Sequence, residues 1–477
     1  MNLNNMLLMR HELILTTVIL ILIIADIFTA DKNKKSVNYI ALGLFALHTV
    51  IGFIPLKTGT LFGGMFVTDP MVYGFKNILN TGVLLIILLA ISWVNKKGLQ
   101  NNKVGEFYIL MFSSLLGMFF LISSRNFLML YLSLELSTLP VTALAAYDIF
   151  NRKSSEAGIK LILSAAFSSG IFLFGISLLY AAGGSLYFSE LEGHIGHSYL
   201  SIAGLIMFFA GLAFKISLVP FHFWTADVYE GAPTPVSNYL SVISKAAAVF
   251  ILMISLFVTL KELKDIWIPV LYGISVLTMF TGNLFALRQK NLKRFLAFSS
   301  VAQAGFIMMG MLSADHLAAS SVLYFISIYI FSNIGAFGVV QLVALAAGGK
   351  ENIDDYNGLY RTNPMLSLVL MISLFSLAGI PPIAGFFGKF FLYTSAASKG
   401  FYVLVFIAVV NVTISLYYYL LVVRAAFLRK SENPIPYFKS DIFARIGLII
   451  VVIALFLLGL YSPFYDYIDS VTKILNI

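Results

Sequence analysis

The stretch from Gly211 to Pro235, GLAFKISLVPFHFWTADVYEGAPTP, decides how the chain must be read. It opens as an apolar helix, sets Lys215 in the middle of it, and meets Pro220 five residues on. Proline removes a backbone donor and disfavours helix in the residue before it, so the helix is disrupted next to the lysine. An ammonium group at bilayer depth costs ~2.5–3.5 kcal/mol on insertion scales. A residue that expensive needs a reason.

Composition fixes the solvent. The chain has 477 residues, is 60% hydrophobic and 11% charged, and its mean hydropathy is +0.92. Apolar runs of about twenty residues recur along its whole length, each long enough to cross a hydrocarbon core of about 30 Å. A large soluble all-α protein would need a polar face on most helices, and these runs have none. The fold class is therefore an all-α polytopic membrane protein in contact with the lipid bilayer. The first apolar run, Leu13 to Phe28, is followed by no A-x-A-like cleavage site and reads as a retained helix.

Spans fall near 11–30, 36–54, 77–95, 105–123, 126–147, 158–182, 199–221, 235–259, 266–287, 295–313, 316–347, 365–397, 401–428 and 442–463, about fourteen in all. The 365–397 run is too long for one straight crossing and contains Gly379-Ile380-Pro381-Pro382, so it should be broken. Lysine and arginine gather in the loops after odd-numbered spans, as in DKNKK (Asp31–Lys35) and RQKNLKR (Arg288–Arg294). The positive-inside rule then puts those loops in the cytoplasm and both termini outside. No soluble domain is inserted: the longest hydrophilic segment, Gly348 to Pro364, is too short to fold alone.

Several chemistries drop out. The chain has no cysteine, so it forms no disulfide and holds no iron–sulfur cluster through thiolates. It has no glycine-rich phosphate loop and no metal-ligand motif, and no cofactor site is expected. The net charge of +9 follows from the loops, so nucleic acid is not an expected partner.

Four ionisable residues lie well inside spans: Glu135, Lys215, Lys245 and Lys389. A lysine near a span end can snorkel to the headgroups, but these three sit several residues from the interface. Pro220 follows Lys215 by five positions, whereas Pro382 precedes Lys389 by seven. That reversal is what an inverted-topology repeat gives when one broken helix runs up and its counterpart runs down. Glu135 is the natural partner of Lys215. Drawing the carboxylate away would release the lysine's proton, and restoring the pair would recapture it. A static structural ion pair is the alternative reading of the same residues. His222 follows Lys215 at i+7 and shares its helix face if the break does not rotate it; otherwise it packs. Asp227 and Glu230 fall in a cytoplasmic loop without lysine or arginine, either as an acidic entrance for protons or as a solvated helix cap. Asp26 is interfacial. Tyr324, Ser300, Gln303 and Asn333 can support water chains or simply pack helices together.

These residues sit in recognisable company. FKISLVPFHFWTADVYEGAPTPVSNYLSVISK (Phe214–Lys245), LELSTLP (Leu134–Pro140), NLKRFLAFSSVAQAGF (Asn291–Phe306) and GIPPIAGFFGKF (Gly379–Phe390) resemble motifs of the antiporter-like subunits of respiratory complex I. Within that family the chain looks like the subunit N branch, the two larger antiporter-like subunits being second choice. The resemblance implies two inverted repeats with two broken helices: residues 105–259 and 260–430, preceded by three helices in 1–104 and followed by a last helix in 431–477. It implies proton translocation through Glu135, Lys215, Lys245 and Lys389. It also places NADH, FMN, iron–sulfur clusters and quinone in partner subunits of a bacterial plasma-membrane complex, with a neighbouring antiporter-like subunit and small membrane subunits as partners. Gln303 stands where many relatives carry histidine, so a relay through it must run through water. Similar chains serve in multisubunit Na+/H+ antiporters, membrane-bound hydrogenases and F420-dependent dehydrogenases, which gives the rival reading.

Overall fold

Short polar side chains mark where the helices begin. Asp69, Asn126, Asn151, Ser198, Asn291, Asp315 and Asp441 each accept a hydrogen bond from a backbone N–H one to three residues on. These caps satisfy donors that helix geometry leaves open and that lipid cannot satisfy. The computed structural model describes residues 6–98 and 103–475.

The helices are α1 (Arg10–Phe28), α2 (Lys35–Gly52), α3 (Pro70–Trp93), α4 (Val104–Ser123), α5 (Phe127–Ala145) and α6 (Arg152–Gly183). A broken crossing follows, α7 (Tyr199–Ile216) and α8 (Phe223–Gly231). Next come α9 (Thr234–Thr259), α10 (Lys264–Ala286), α11 (Leu292–Gly310) and α12 (His316–Ala346). The second broken crossing is α13 (Pro364–Ala378) and α14 (Ala384–Ser398), before α15 (Tyr402–Phe427), α16 (Ile442–Leu460) and the short α17 (Pro463–Thr472). Among the described residues eleven stretches are long and apolar enough to cross a membrane; α2, α11 and the α13–α14 pair bring the crossings there to fourteen. A small antiparallel hairpin, β1 (Gly59–Leu61) and β2 (Phe66–Thr68), joins α2 to α3, which the span pattern does not reveal.

Burial separates centre from rim. The apolar windows of α9 and α12 are 94% and 89% buried, while those beginning at Leu7 and Ile442 are 28% buried. Helices that are apolar all round are expected either in a core or against lipid. Here α9 and α12 form the axis, and the rim helices turn most of their surface outward.

Candidate functional site

Both expected breaks are present, and each is built the same way. α7 ends with Ser217 in the left-handed region (φ 68°), followed by a cis Val219–Pro220 bond. α13 ends with Gly379 at φ 87°, followed by a cis Pro381–Pro382 bond. At the second break a Cβ on Gly385 would stand 1.7 Å from the Ser376 carbonyl oxygen, so only glycine lets α14 start so close to the end of α13.

The three lysines are buried, none more than 8% exposed. Lys215, in the last turn of α7, donates to Ser137 Oγ at 2.7 Å and Thr138 Oγ1 at 2.6 Å, both on α5. Lys245 donates to Ser300 on α11, to Oγ at 2.5 Å and to the carbonyl oxygen at 3.1 Å. A π-helical turn, Leu240–Ser244, immediately precedes Lys245; such turns are frequent at functional positions. Lys389 donates to the Leu377 and Ala378 carbonyls at 2.7 and 3.1 Å, the open end of α13. Its ammonium also lies 4.9 Å from the Phe306 ring centre.

Gln303 closes the gap between the second and third lysines. One turn beyond Ser300 on α11, its amide donates to Leu377 O at 3.1 Å, the same oxygen that receives Lys389. It donates as well to Tyr419 OH at 3.3 Å. Two bonded segments, Lys245–Ser300 and Gln303–Leu377 O–Lys389, therefore lie one turn apart on α11. Beside Lys215 lies a small cavity of about 30 Å³ whose wall includes Ser169, Trp224 and Ser244, the residue before Lys245.

Glu135 does not close on Lys215. It is half-buried and takes a hydrogen bond from Ser169 Oγ of α6, while Lys215 binds hydroxyls two and three residues further along α5. The expected direct ion pair is thus open, because α5 carries its carboxylate to the α6 side and its hydroxyls to the α7 side. Ser169, which donates to Glu135, also lines the cavity beside Lys215.

The secondary candidates fare differently. His222 does not share a helix face with Lys215: the chain turns at Ser217, and His222 lies outside α7 at the N-cap of α8, stacked on Phe223. Asp227 and Glu230 are not an open acidic loop. They lie on α8, where Asp227 pairs with Lys160 and Arg294 and Glu230 with Lys153 and Arg294. The missing bases come from α6 and α11, which sequence distance conceals. Tyr324 binds Leu458 O at 2.6 Å and packs against Phe391 and Tyr465, tying α12 to the C-terminal helices. Asn333 donates to Tyr329 O within its own helix, and its carbonyl oxygen has no partner. Asp26 pairs with Lys34 at the end of α1, as an interfacial residue should.

Two buried features went unread. Lys293 is 4% exposed and donates to Ala232 O at 2.8 Å. Lys76 is 1% exposed and paired to Glu12. The Asp69-Pro70 dipeptide, an N-cap followed by proline at the first helical position, was the signal that α3 begins before Lys76.

With this geometry in hand, comparison with known proteins is direct. Residues 124–415 match the family model described as NADH:quinone oxidoreductase/Mrp antiporter, TM. The chain belongs to that family. It is 46% identical to NADH-quinone oxidoreductase subunit N of Phocaeicola vulgatus, over 97% of this chain and 98% of the relative. It is 37% identical to subunit N of Moorella thermoacetica over 97% of each. Among solved structures it matches a chain of respiratory complex I from Thermus thermophilus with bound aureothin, at a TM-score of 0.79 and 30% identity, covering 96% and 98% of the two chains. The Mrp complex of a Dietzia species shares the fold, with a TM-score of 0.82 at 18% identity over 100% and 98%.

Proposed function

We propose that this chain is the proton-translocating membrane subunit of a bacterial NADH–quinone oxidoreductase, with Glu135, Lys215, Lys245 and Lys389 as its proton carriers. The observation that carries this reading is the series of polar groups from Lys245 through Ser300, Gln303 and Leu377 O to Lys389, with a cavity beside Lys215 that extends to Ser244, next to Lys245. The subunit N relatives support the assignment of complex, and the absence of cysteine supports placing NADH, FMN, clusters and quinone in partner subunits. The basic loops support a plasma-membrane orientation with both termini outside. The matched architecture of the two breaks supports repeats spanning 105–259 and 260–430.

In this mechanism Glu135 acts first. An electrostatic or conformational signal from neighbouring subunits moves the carboxylate, held by Ser169, toward or away from Lys215. With the carboxylate near, the ammonium form of Lys215 is favoured; with it drawn away, the desolvated amine releases its proton toward Lys245. Ser300 and Gln303 cannot titrate near neutral pH but can donate and accept hydrogen bonds, so they conduct rather than store. Lys389, held by the Leu377 and Ala378 carbonyls, is the last store before release.

The deciding experiment replaces Lys215 with methionine in the assembled complex. Coupled proton pumping is expected to be abolished or sharply reduced; pumping at the wild-type rate would exclude the carrier role. Purification of the native assembly separates the rival reading, since flavin and iron–sulfur subunits would accompany this chain and an antiporter's subunits would not.

A further inference from the structure

A second set of buried titratable groups lies at the end of the bundle that carries the N terminus, away from the central lysines. Lys76 on α3 donates to the Glu12 carboxylate of α1 at 2.5 Å and to Ser123 Oγ, at the end of α4, at 2.7 Å. His11 Nε2 lies 3.0 Å from Asn77 Oδ1. The His48 ring of α2 meets the His11 ring edge-on, centroids 6.1 Å apart.

The cluster is not closed on itself. Glu12 Oε2, both ring nitrogens of His48 and both amide atoms of Asn80 are buried without a hydrogen-bond partner. Polar networks whose task is to hold helices together satisfy their members, because an open buried group destabilises the fold. An open carboxylate oxygen beside two open imidazole nitrogens is the arrangement of groups that take up and give up a proton.

The surroundings give the site a direction. Toward mid-bundle it rests on aromatic rings: Phe45 stacks on Phe112 at 4.7 Å, and Phe119 faces both histidines at 5.9 and 6.1 Å. Toward the central axis α3 is apolar, with Phe75 stacked on Phe250 of α9 at 4.7 Å. Toward the end face the contacts are polar. Asn77 Nδ2 donates to Gly52 O at 3.0 Å, and the Arg10 guanidinium donates to that same oxygen at 3.2 Å and to Ile54 O near the surface. Arg10 and Glu12 reach the cluster from α1, His48 from α2 and Asp69 from the start of α3; Arg125, just beyond α4, stands 3.8 Å from Asp69.

We propose that Glu12, Lys76, His11 and His48 form a proton-exchange site opening to the face that carries the N terminus, separate from the central lysine chain. A proton entering from that face forms an N–H bond at an open nitrogen of His48 or an O–H bond at Glu12 Oε2. It leaves to water by breaking the same bond, with no change of oxidation state. Lys76 is a positioning residue that holds the carboxylate with one oxygen free.

The first test uses the native assembly unaltered. Exchange of the imidazole C2 hydrogen of His48 for deuterium, followed by peptide mass spectrometry over a pH series, reports the titration of that ring alone. The expected result is an exchange rate that follows a single sigmoid in pH. A ring that fails to exchange at any pH, or exchanges at a constant rate, overturns the proposal. His48→Phe, which keeps the aromatic packing, is expected to alter the pH profile of proton release several-fold in sealed vesicles of the assembled complex. An unchanged profile in His48→Phe and in the paired variant Glu12→Leu with Lys76→Met overturns it as well, because apolar replacement of a merely structural ion pair is close to neutral. The imidazole readout needs no pumping, so it stands or falls apart from the central chain.

Discussion

The two broken crossings use the same backbone device but hold their lysines differently. Both breaks close the same two carbonyls: Leu218 and Ser217 N–H donate to Ala213 O and Phe214 O at α7–α8, and Ile380 and Gly379 N–H donate to Phe375 O and Ser376 O at α13–α14. Lys215 turns sideways to two hydroxyls that themselves donate to Leu134 O. At α13–α14 the Leu377 and Ala378 carbonyls are left for Lys389 itself. One amine is held by swivelling hydroxyls next to a cavity, the other by fixed carbonyl dipoles at a helix C-terminus, where positive charge is favoured. The difference fits a carrier that must let go at one end and a store that must hold at the other.

The strongest way to break this comparison is to delete each ammonium in turn. Lys389→Met strands the buried Ala378 carbonyl, Leu377 O keeping the Gln303 amide, and is expected to destabilise the assembled subunit by about 1–3 kcal/mol. Lys215→Met removes a buried charge without a carboxylate in contact and leaves its hydroxyls bonded, so it should be nearly neutral in stability while losing pumping. Thermal unfolding of the purified assemblies distinguishes them, and equal losses would erase the distinction. Gly379→Ala is next. At φ 87° a side chain is strained, and its Cβ would stand 3.1 Å from Lys389 Cδ. A loss of roughly 1–2 kcal/mol is expected, with slower pumping because the lysine must shift.

Trp224→Phe sharpens the other half of the comparison. It removes the indole bond to Phe214 O, which keeps the Ser217 N–H and gains a lone pair open to Lys215; a cost of about 1 kcal/mol is expected. The accompanying sign is retention of the Lys215 proton, read as slower proton release at unchanged quinone binding. The smallest effect concerns the end face. Burial works to raise the Asp469 carboxyl, but hydrogen bonds from Lys473 and His316 outweigh it and hold the group below the usual carboxylate range. A depressed carboxylate stabilises fully above its ordinary range and loses that contribution as pH falls through its folded value. Backbone hydrogen exchange in α17 should therefore be constant near neutrality and rise only in acid.

Most of the architecture was legible before any coordinates. Apolar runs placed the crossings, and Pro220 and the Pro381–Pro382 pair announced the breaks. The lysines stood out because lipid makes them expensive. What escaped had to do with neighbours. The Asp227–Glu230 pair looked open because its bases lie on α6 and α11. Glu135 looked like the direct partner of Lys215 because no other mid-span carboxylate was near in sequence, yet helix rotation gives Lys215 the next turn's hydroxyls. Lys76 drew no attention because a span starting at 77 leaves it outside, whereas α3 begins seven residues earlier at Pro70.

Sequence alone, then, determined that this chain lives in a bilayer, crosses it about fourteen times, and carries amines at depth beside interrupted helices. Those conclusions follow from transfer energies and backbone sterics, which act locally and can be read one segment at a time. Only the tertiary structure decided which oxygen each amine meets. Hydrogen-bond partners depend on helix rotation and packing to within about an ångström, and residues such as Gln303 and Leu377, 74 positions apart, share a bond only once the helices are assembled.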